Sequence, residues 1–264
     1  MSWTGFMKAV NRAGTQVMIK TGHVEQTVDA EYDLEEKRFK AMETIGVTLH
    51  KELKHYLDSL RLLTNSQRLI AETIDSFYDA PDANSRDGIS KRYLEVTQEL
   101  NQNVLQELEG PYKETVLNPV ARFNTYFTEI DEAIKKRAHK KLDYDHLRAK
   151  VKKLAEKPLE DATKLPMLER DLAALRQIYE NLNSQLKTEL PQLVSLRIPY
   201  LDPSFESFVK IQLRFFNECY ESLNKLQNSM DSQLRQDYVN DTLDQSIDNV
   251  LHKMRELNIT SLGD

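Results

Sequence analysis

The chain has 264 residues, with 36 Lys and Arg against 42 Asp and Glu, and a formal net charge of −6. Charged residues make up 30% of it while Gly numbers only 7 and Pro 8, a composition of long helices with too few turn residues for a many-stranded sheet. The single cysteine, Cys219, excludes an internal disulfide framework, and no run of about 18 apolar residues is present to cross a bilayer.

In chain order, the first predicted element is an amphipathic helix within residues 1–22, "MSWTGFMKAVNRAGTQVMIK" being its body. At 100° per residue, Trp3, Phe6, Met7, Val10, Ala13, Val17 and Met18 fall within about 140°, with Lys8, Asn11, Arg12, Thr15 and Gln16 opposite. The first 24 residues hold three basic side chains and no acidic one. An aromatic apolar face beside a basic polar face suits a membrane interface, and packing against the protein's own helices is the ordinary alternative. No apolar core or cleavage site of a secretory signal is visible, Ser2 stands where myristoylation needs Gly, and no prenylation Cys follows, so a cytoplasmic protein is expected.

From Val28 the apolar positions run Tyr32, Phe39, Met42, Leu49, Leu53, Tyr56, Leu60, Leu63, Ile70, Ile74 and Phe77, with Glu35, Gly46 and Gln67 as weak members. Steps of three and four sustained this long predict one helix with a coiled-coil-like seam. "DAPDANSRDG" (79–88) reads as a loop. A second helical region over 90–156 is interrupted by "GPY" (110–112) and "VLNP" (116–119), where Pro119 should kink it. A turn at 156–166 leads to a third helix through Leu165, Leu168, Leu172, Leu175, Tyr179, Leu182, Leu186 and Leu193, which Pro191, Pro199 and Pro203 should bend or break. The pattern resumes from Phe205 through Phe208, Phe215, Cys219, Leu226 and Tyr238, and the last 20 residues or so are expected to fray.

Three long helices with short turns predict an all-α antiparallel coiled-coil bundle. Over 205–223 the apolar positions cover more than one stripe, so a surplus face is expected to be buried against a second copy or a close relative. A thicker monomeric bundle, doubled back at the prolines, is the alternative.

Charge is distributed unevenly. "IKKRAHKKLDYDHLRAKVKK" (134–153) carries nine Lys and Arg against two Asp, a net of +7 in an acidic chain. Lys136 and Lys140 lie close in angle, and Arg137, Lys141, Arg148 and Lys152 form a second group. A solvated helix face explains charge but not its one sign. Nucleic acid is not an expected partner, because the chain is acidic and has no recognisable module for it. An anionic membrane surface, where each nearby Lys or Arg contributes about 1 kcal/mol, accounts for both.

"KKRAHKKLDYD" following "VLNP", then "YENLNSQLKTELPQLVSLR" (179–197), resembles the amphiphysin branch of the BAR-domain family. The opening "MSWTGF" with "KAVNRAG", and "IPYLDPSFESFVKIQLRFF" (198–216), resemble its short fungal members of the reduced-viability-upon-starvation type. The resemblance implies an elongated, crescent-shaped dimer of kinked three-helix coiled coils that binds, senses and bends anionic membranes at endocytic sites and the actin cortex. It divides the chain into an inserting helix (1–22), a BAR domain (23–240) and a C-terminal tail (241–264). By position it implies Lys135, Lys136, Arg137, Lys140 and Lys141 on a concave face, and Lys150, Lys152, Lys153, Lys157 and Lys164 near the dimer tips. Trp3, Phe6, Met7, Lys8, Val10, Arg12 and Val17 then belong to the inserting helix. No SH3 domain follows residue 240, so the implied partner is a second copy or an SH3-bearing BAR protein, together with regulators of actin.

Catalytic chemistry is not expected, and neither is a cofactor. Seven glycines form no phosphate-cradling loop. His139, Asp143 and His146 share a helical face, yet three donors amid dense positive charge make a poor metal site. Cys219 lies in an apolar stretch and reads as core. The rival class is a cytosolic coiled-coil adaptor for actin regulators or small GTPases without direct lipid contact.

Overall fold

The computed structural model describes residues 3–78, 88–156, 164–257 and 259, with the backbone alone for residues 3–5 and 8. Its regular elements are helical: α1 (Trp3–Lys20), α2 (Ala30–Tyr78), α3 (Ile89–Glu99), α4 (Leu105–Tyr112), α5 (Asn118–Ala155), α6 (Lys164–Asn228), α7 (Ser232–Val239) and α8 (Leu243–Arg255). The π-helical turns Leu100–Val104 and Lys113–Leu117 join α3 to α4 and α4 to α5. The chain divides into two compact units, Met1–Lys54 with Lys113–Phe208, and His55–Tyr112 with Val209–Asp264.

The first unit is built around Tyr32, Phe39 and Met42 of α2, Phe123, Phe127 and Ile134 of α5, and Leu186 and Leu190 of α6. Phe39 and Phe123 each meet the Phe127 ring edge-on, with centroids 5.8 and 5.2 Å away. Gly46, a weak position in the apolar pattern, is the residue this packing requires. A Cβ there would stand 2.6 Å from Asn124 Oδ1 and 3.1 Å from the Phe127 ring. The Asn124 side-chain amide uses the space to donate to the Gly46 carbonyl at 3.0 Å. In the second unit, Leu60, Leu100, Val104, Leu105, Leu108 and Phe215 form the core, with Cys219 packed against it as expected. Burial raises the Cys219 thiol pKa, as befits a packing residue.

The seam of α2 holds through Tyr56 and Leu60 and departs from the expected one beyond them. Leu57, Leu60, Thr64 and Ala71 turn inward, while Leu63, Ile70 and Phe77 are exposed. The heptad step holds, but beyond Leu60 the inward stripe uses the smaller Thr64 and Ala71 and leaves the bulkier apolar stripe outside. Packing decides this: buried Thr64 accepts a 2.9 Å hydrogen bond from Asn101 in the first π-helical turn, a contact that Leu63 could not make.

Of the interruptions expected in the second helical region, "GPY" (110–112) lies inside α4, which runs through Pro111, whereas "VLNP" meets the π-helical turn Lys113–Leu117, which ends two residues before Pro119. A widened turn accommodates a ring that lacks an N–H and crowds the carbonyl four residues back. α6 runs unbroken through Pro191, Pro199 and Pro203. Proline costs about 3 kcal/mol inside a helix; burial of Leu186, Leu190, Ser204 and Phe215 around these positions holds the helix together. Of the tail expected to fray, Leu243–Arg255 form α8, while residues 258 and 260–264 lie outside the described residues.

Candidate functional site

α1 rests on α5 by its polar edge. Arg12 Nε and Nη2 donate to Asp143 Oδ1 and Oδ2 at 2.7 and 2.8 Å. One turn on, Thr15 is 1% exposed; its hydroxyl donates to the Asn11 carbonyl at 2.8 Å and lies 3.0 Å from His146 Nδ1. The Asp143 hydrogen bond outweighs burial and raises the Arg12 pKa further above its ordinary value. The opposite side of α1 faces solvent, with Phe6 53% and Val17 61% exposed and Met7, Val10 and Met18 also exposed. The side chains of Trp3 and Lys8 lie outside the described residues.

The only two acids in the basic stretch anchor the N-terminal segment. Asp143 holds α1, and Asp145, fully buried, receives the Thr27 backbone N–H at 3.2 Å and the Thr27 hydroxyl at 2.5 Å. Arg148 lies 3.4 Å from Asp145 and donates to the Glu25 carbonyl at 2.6 Å. Sequence reasoning placed Thr15 on the polar face and Asp143 among metal candidates but missed the docking role of both. Two isolated carboxylates inside a +7 stretch were the signal that pointed to it.

The basic residues separate into two sets. Lys135, Lys136, Lys150, Lys152 and Lys153 on α5 and Lys164 at the start of α6 are exposed, whereas Lys140 and Lys141 are half-buried. Lys135 carries an ion pair with Glu132 at 2.8 Å, and that hydrogen bond raises its pKa. Lys157 lies outside the described residues.

Arg137 is not a surface residue. It is 3% exposed, and its guanidinium carbon sits 3.2 Å from the centroid of the Tyr32 ring. Nε donates to Asn183 Oδ1 at 2.7 Å, and Asn183 in turn donates to Asp29 Oδ2 at 2.7 Å. The expectation that Arg137 lies on a lipid-facing surface is therefore corrected. The heptad seam of α5 carries this position inward, and the arginine stacks on an aromatic ring and ends on a carboxylate relay. Burial raises the Tyr32 phenol pKa far above its usual value, with the Glu36 charge adding to the shift. Asp143 and His146 are engaged by α1, so the face they share with His139 is a docking surface.

Helices of this pattern, an N-terminal amphipathic helix and a cationic α5 define a class: the chain belongs to the BAR domain family, whose model matches residues 6–232. It is 54% identical over 263 residues to Protein hob3 of Schizosaccharomyces pombe, covering 100% of this chain and 99% of that protein. It is 51% identical over 265 residues to Reduced viability upon starvation protein 161 of Saccharomyces cerevisiae, with 100% and 99% covered. Regulator of cytoskeleton and endocytosis RVS161 of Candida albicans is 48% identical over 265 residues, with 100% of each covered. Among solved structures, the amphiphysin BAR domain from Drosophila matches with a TM-score of 0.63 at 22% identity, over 77% of this chain and 92% of that one.

Proposed function

We propose that this chain is a membrane scaffold that binds, senses and bends anionic bilayers, docking through the exposed lysines of α5 and α6 and wedging the apolar side of α1 into the headgroup layer. One observation carries the reading: α1 is held by Arg12 and Thr15, so its polar edge is occupied while Phe6, Met7, Val10 and Val17 point outward. An amphipathic helix that packed for its own fold would bury the apolar side instead. Six exposed lysines at about 1 kcal/mol each supply several kcal/mol toward docking, and a dimer doubles the number.

The dimer belongs to the same reading. In the second unit Leu62, Leu69, Ile70, Phe77, Leu213 and Phe216 are all exposed, more apolar surface than a monomer ordinarily leaves in water. A second copy, or an SH3-bearing BAR relative, covers it. The family and the words "cytoskeleton and endocytosis" in a relative's name support action at endocytic sites and the cortical actin layer, peripheral to the plasma membrane. Among the described residues no helix is long and apolar enough to cross a membrane.

Cosedimentation with liposomes graded in charge and diameter tests the reading. Combined Lys150→Glu, Lys152→Glu and Lys153→Glu reverses three charges per chain and is expected to weaken retention on acidic liposomes at least about tenfold, with wild-type retention falling as salt rises. Phe6→Glu is expected to reduce tubulation more than initial docking. Unaltered sedimentation of the triple variant rejects the electrostatic mechanism and leaves the adaptor role in its place.

A further inference from the structure

The C-terminal helix α8 carries a feature that the membrane reading leaves unused. Leu243, Ile247, Val250, Leu251 and Met254 fall within roughly 100° of arc at helical spacing. None of the α8 residues is buried, and Ile247, Val250 and Met254 are each more than half exposed. At 13 residues the helix is of a length that is marginal alone in water, so an apolar stripe this regular calls for a cover.

The charges on α8 select that cover. Its first half carries Asp244 and Asp248, and its last turn carries His252, Lys253 and Arg255. Interfacial helices are rich in Lys and Arg on the polar face, whereas here two carboxylates flank the stripe. A helix that is acidic at one end and basic at the other is complementary to itself turned around. We propose that α8 is a self-association element, its apolar stripe packing antiparallel against α8 of a second copy. About a two-fold axis near Val250, Val250 meets Val250, Ile247 meets Leu251, and Leu243 meets Met254. Along one edge, Asp244 lies opposite Arg255 in both directions. A parallel pairing would set acidic end against acidic end and basic against basic, and would align both helix dipoles unfavourably. The contact is too small to hold two free chains tightly, so it acts where other contacts or a membrane already concentrate the protein.

Disulfide trapping of the full chain in solution, without lipid, tests this independently of membrane binding. In a Cys219→Ala background, V250C is expected to form covalent dimers at least about tenfold faster than Q245C on the opposite face, because pairing raises the local thiol concentration. Arg255→Asp should slow V250C trapping, and adding Asp244→Arg should restore it. Because α8 buries no residue, these changes leave the core intact, which circular dichroism checks. Equal rates for V250C and Q245C overturn the proposal, as does a charge swap that fails to restore trapping. Trapping at the control rate together with lost liposome retention of Val250→Asp would assign the stripe to lipid and overturn it as well.

Discussion

Arg12 on α1 grips Asp143 on α5 with two parallel hydrogen bonds of 2.7 and 2.8 Å, across 131 residues of sequence. Both side chains are about one-fifth exposed, so the pair is shielded from solvent more than an ordinary surface ion pair. The contact holds an amphipathic helix by its polar side. The apolar side is thereby presented to the surroundings before any membrane is met.

Asp143→Asn and Arg12→Gln should each release α1 from α5 at a cost of about 1 kcal/mol, read as roughly fivefold faster amide exchange over residues 9–20 with the global urea midpoint unchanged. Exchanging the charges, Arg12→Asp with Asp143→Arg, should recover protection. Unchanged exchange in both single variants would show that Thr15 and His146 hold the helix without the ion pair.

Arg137 and its neighbour Lys136 should behave oppositely. Arg137→Ala vacates the stack on Tyr32 and strands Asn183, so it should cost about 3 kcal/mol in urea unfolding, while Lys136→Ala stays within about 0.5 kcal/mol. Arg137→Lys should recover only part of the loss, because an ammonium cannot match a planar guanidinium on a ring.

Gly46 sets two effects against each other. Alanine gains about 1 kcal/mol of helix propensity, but its Cβ would stand 2.6 Å from Asn124 Oδ1. Overpacking costs about 1–3 kcal/mol, so Gly46→Ala should be net destabilising by thermal unfolding. In an Asn124→Ala background most of the clash is gone, and the same substitution should become neutral or stabilising. The same sign in both backgrounds would leave the Phe127 ring as the obstacle.

Acid should loosen the first unit through Asp29. Burial pushes this carboxyl up, but hydrogen bonds from Asn183 and the Tyr32 amide, with the Lys187 charge, bring its pKa below the ordinary value. A carboxyl depressed in the folded state contributes stability that is complete above the unfolded value of about 3.9 and is lost as pH falls through the folded value. Asp29→Asn should therefore lower stability at neutral pH and flatten its decline in acid, measured as urea midpoints from pH 7 to pH 3.

Although α6 runs through prolines expected to bend or break it, the helical class, the length of α2 and the amphipathic N-terminus were legible in the residues. Each follows from periodicity and from turn residues, which act locally. The side of α2 that turns inward was not legible. Two apolar stripes run along its second half, and spacing alone cannot rank Leu63 and Ile70 against Thr64 and Ala71; the partner Asn101, supplied by another helix, decides. Position likewise placed Arg137 among the lipid-facing cations, because a cation on a seam looks like any other until an aromatic ring and a relay to Asp29 receive it.

What the residues determined by themselves was how much charge gathers in 134–153 and which sides of the helices are apolar. Only the tertiary structure decided which of those cations meet solvent and which side of α1 is spent on docking. The reason is physical: helical periodicity is written every few residues, whereas burial of a charge depends on partners more than a hundred residues away.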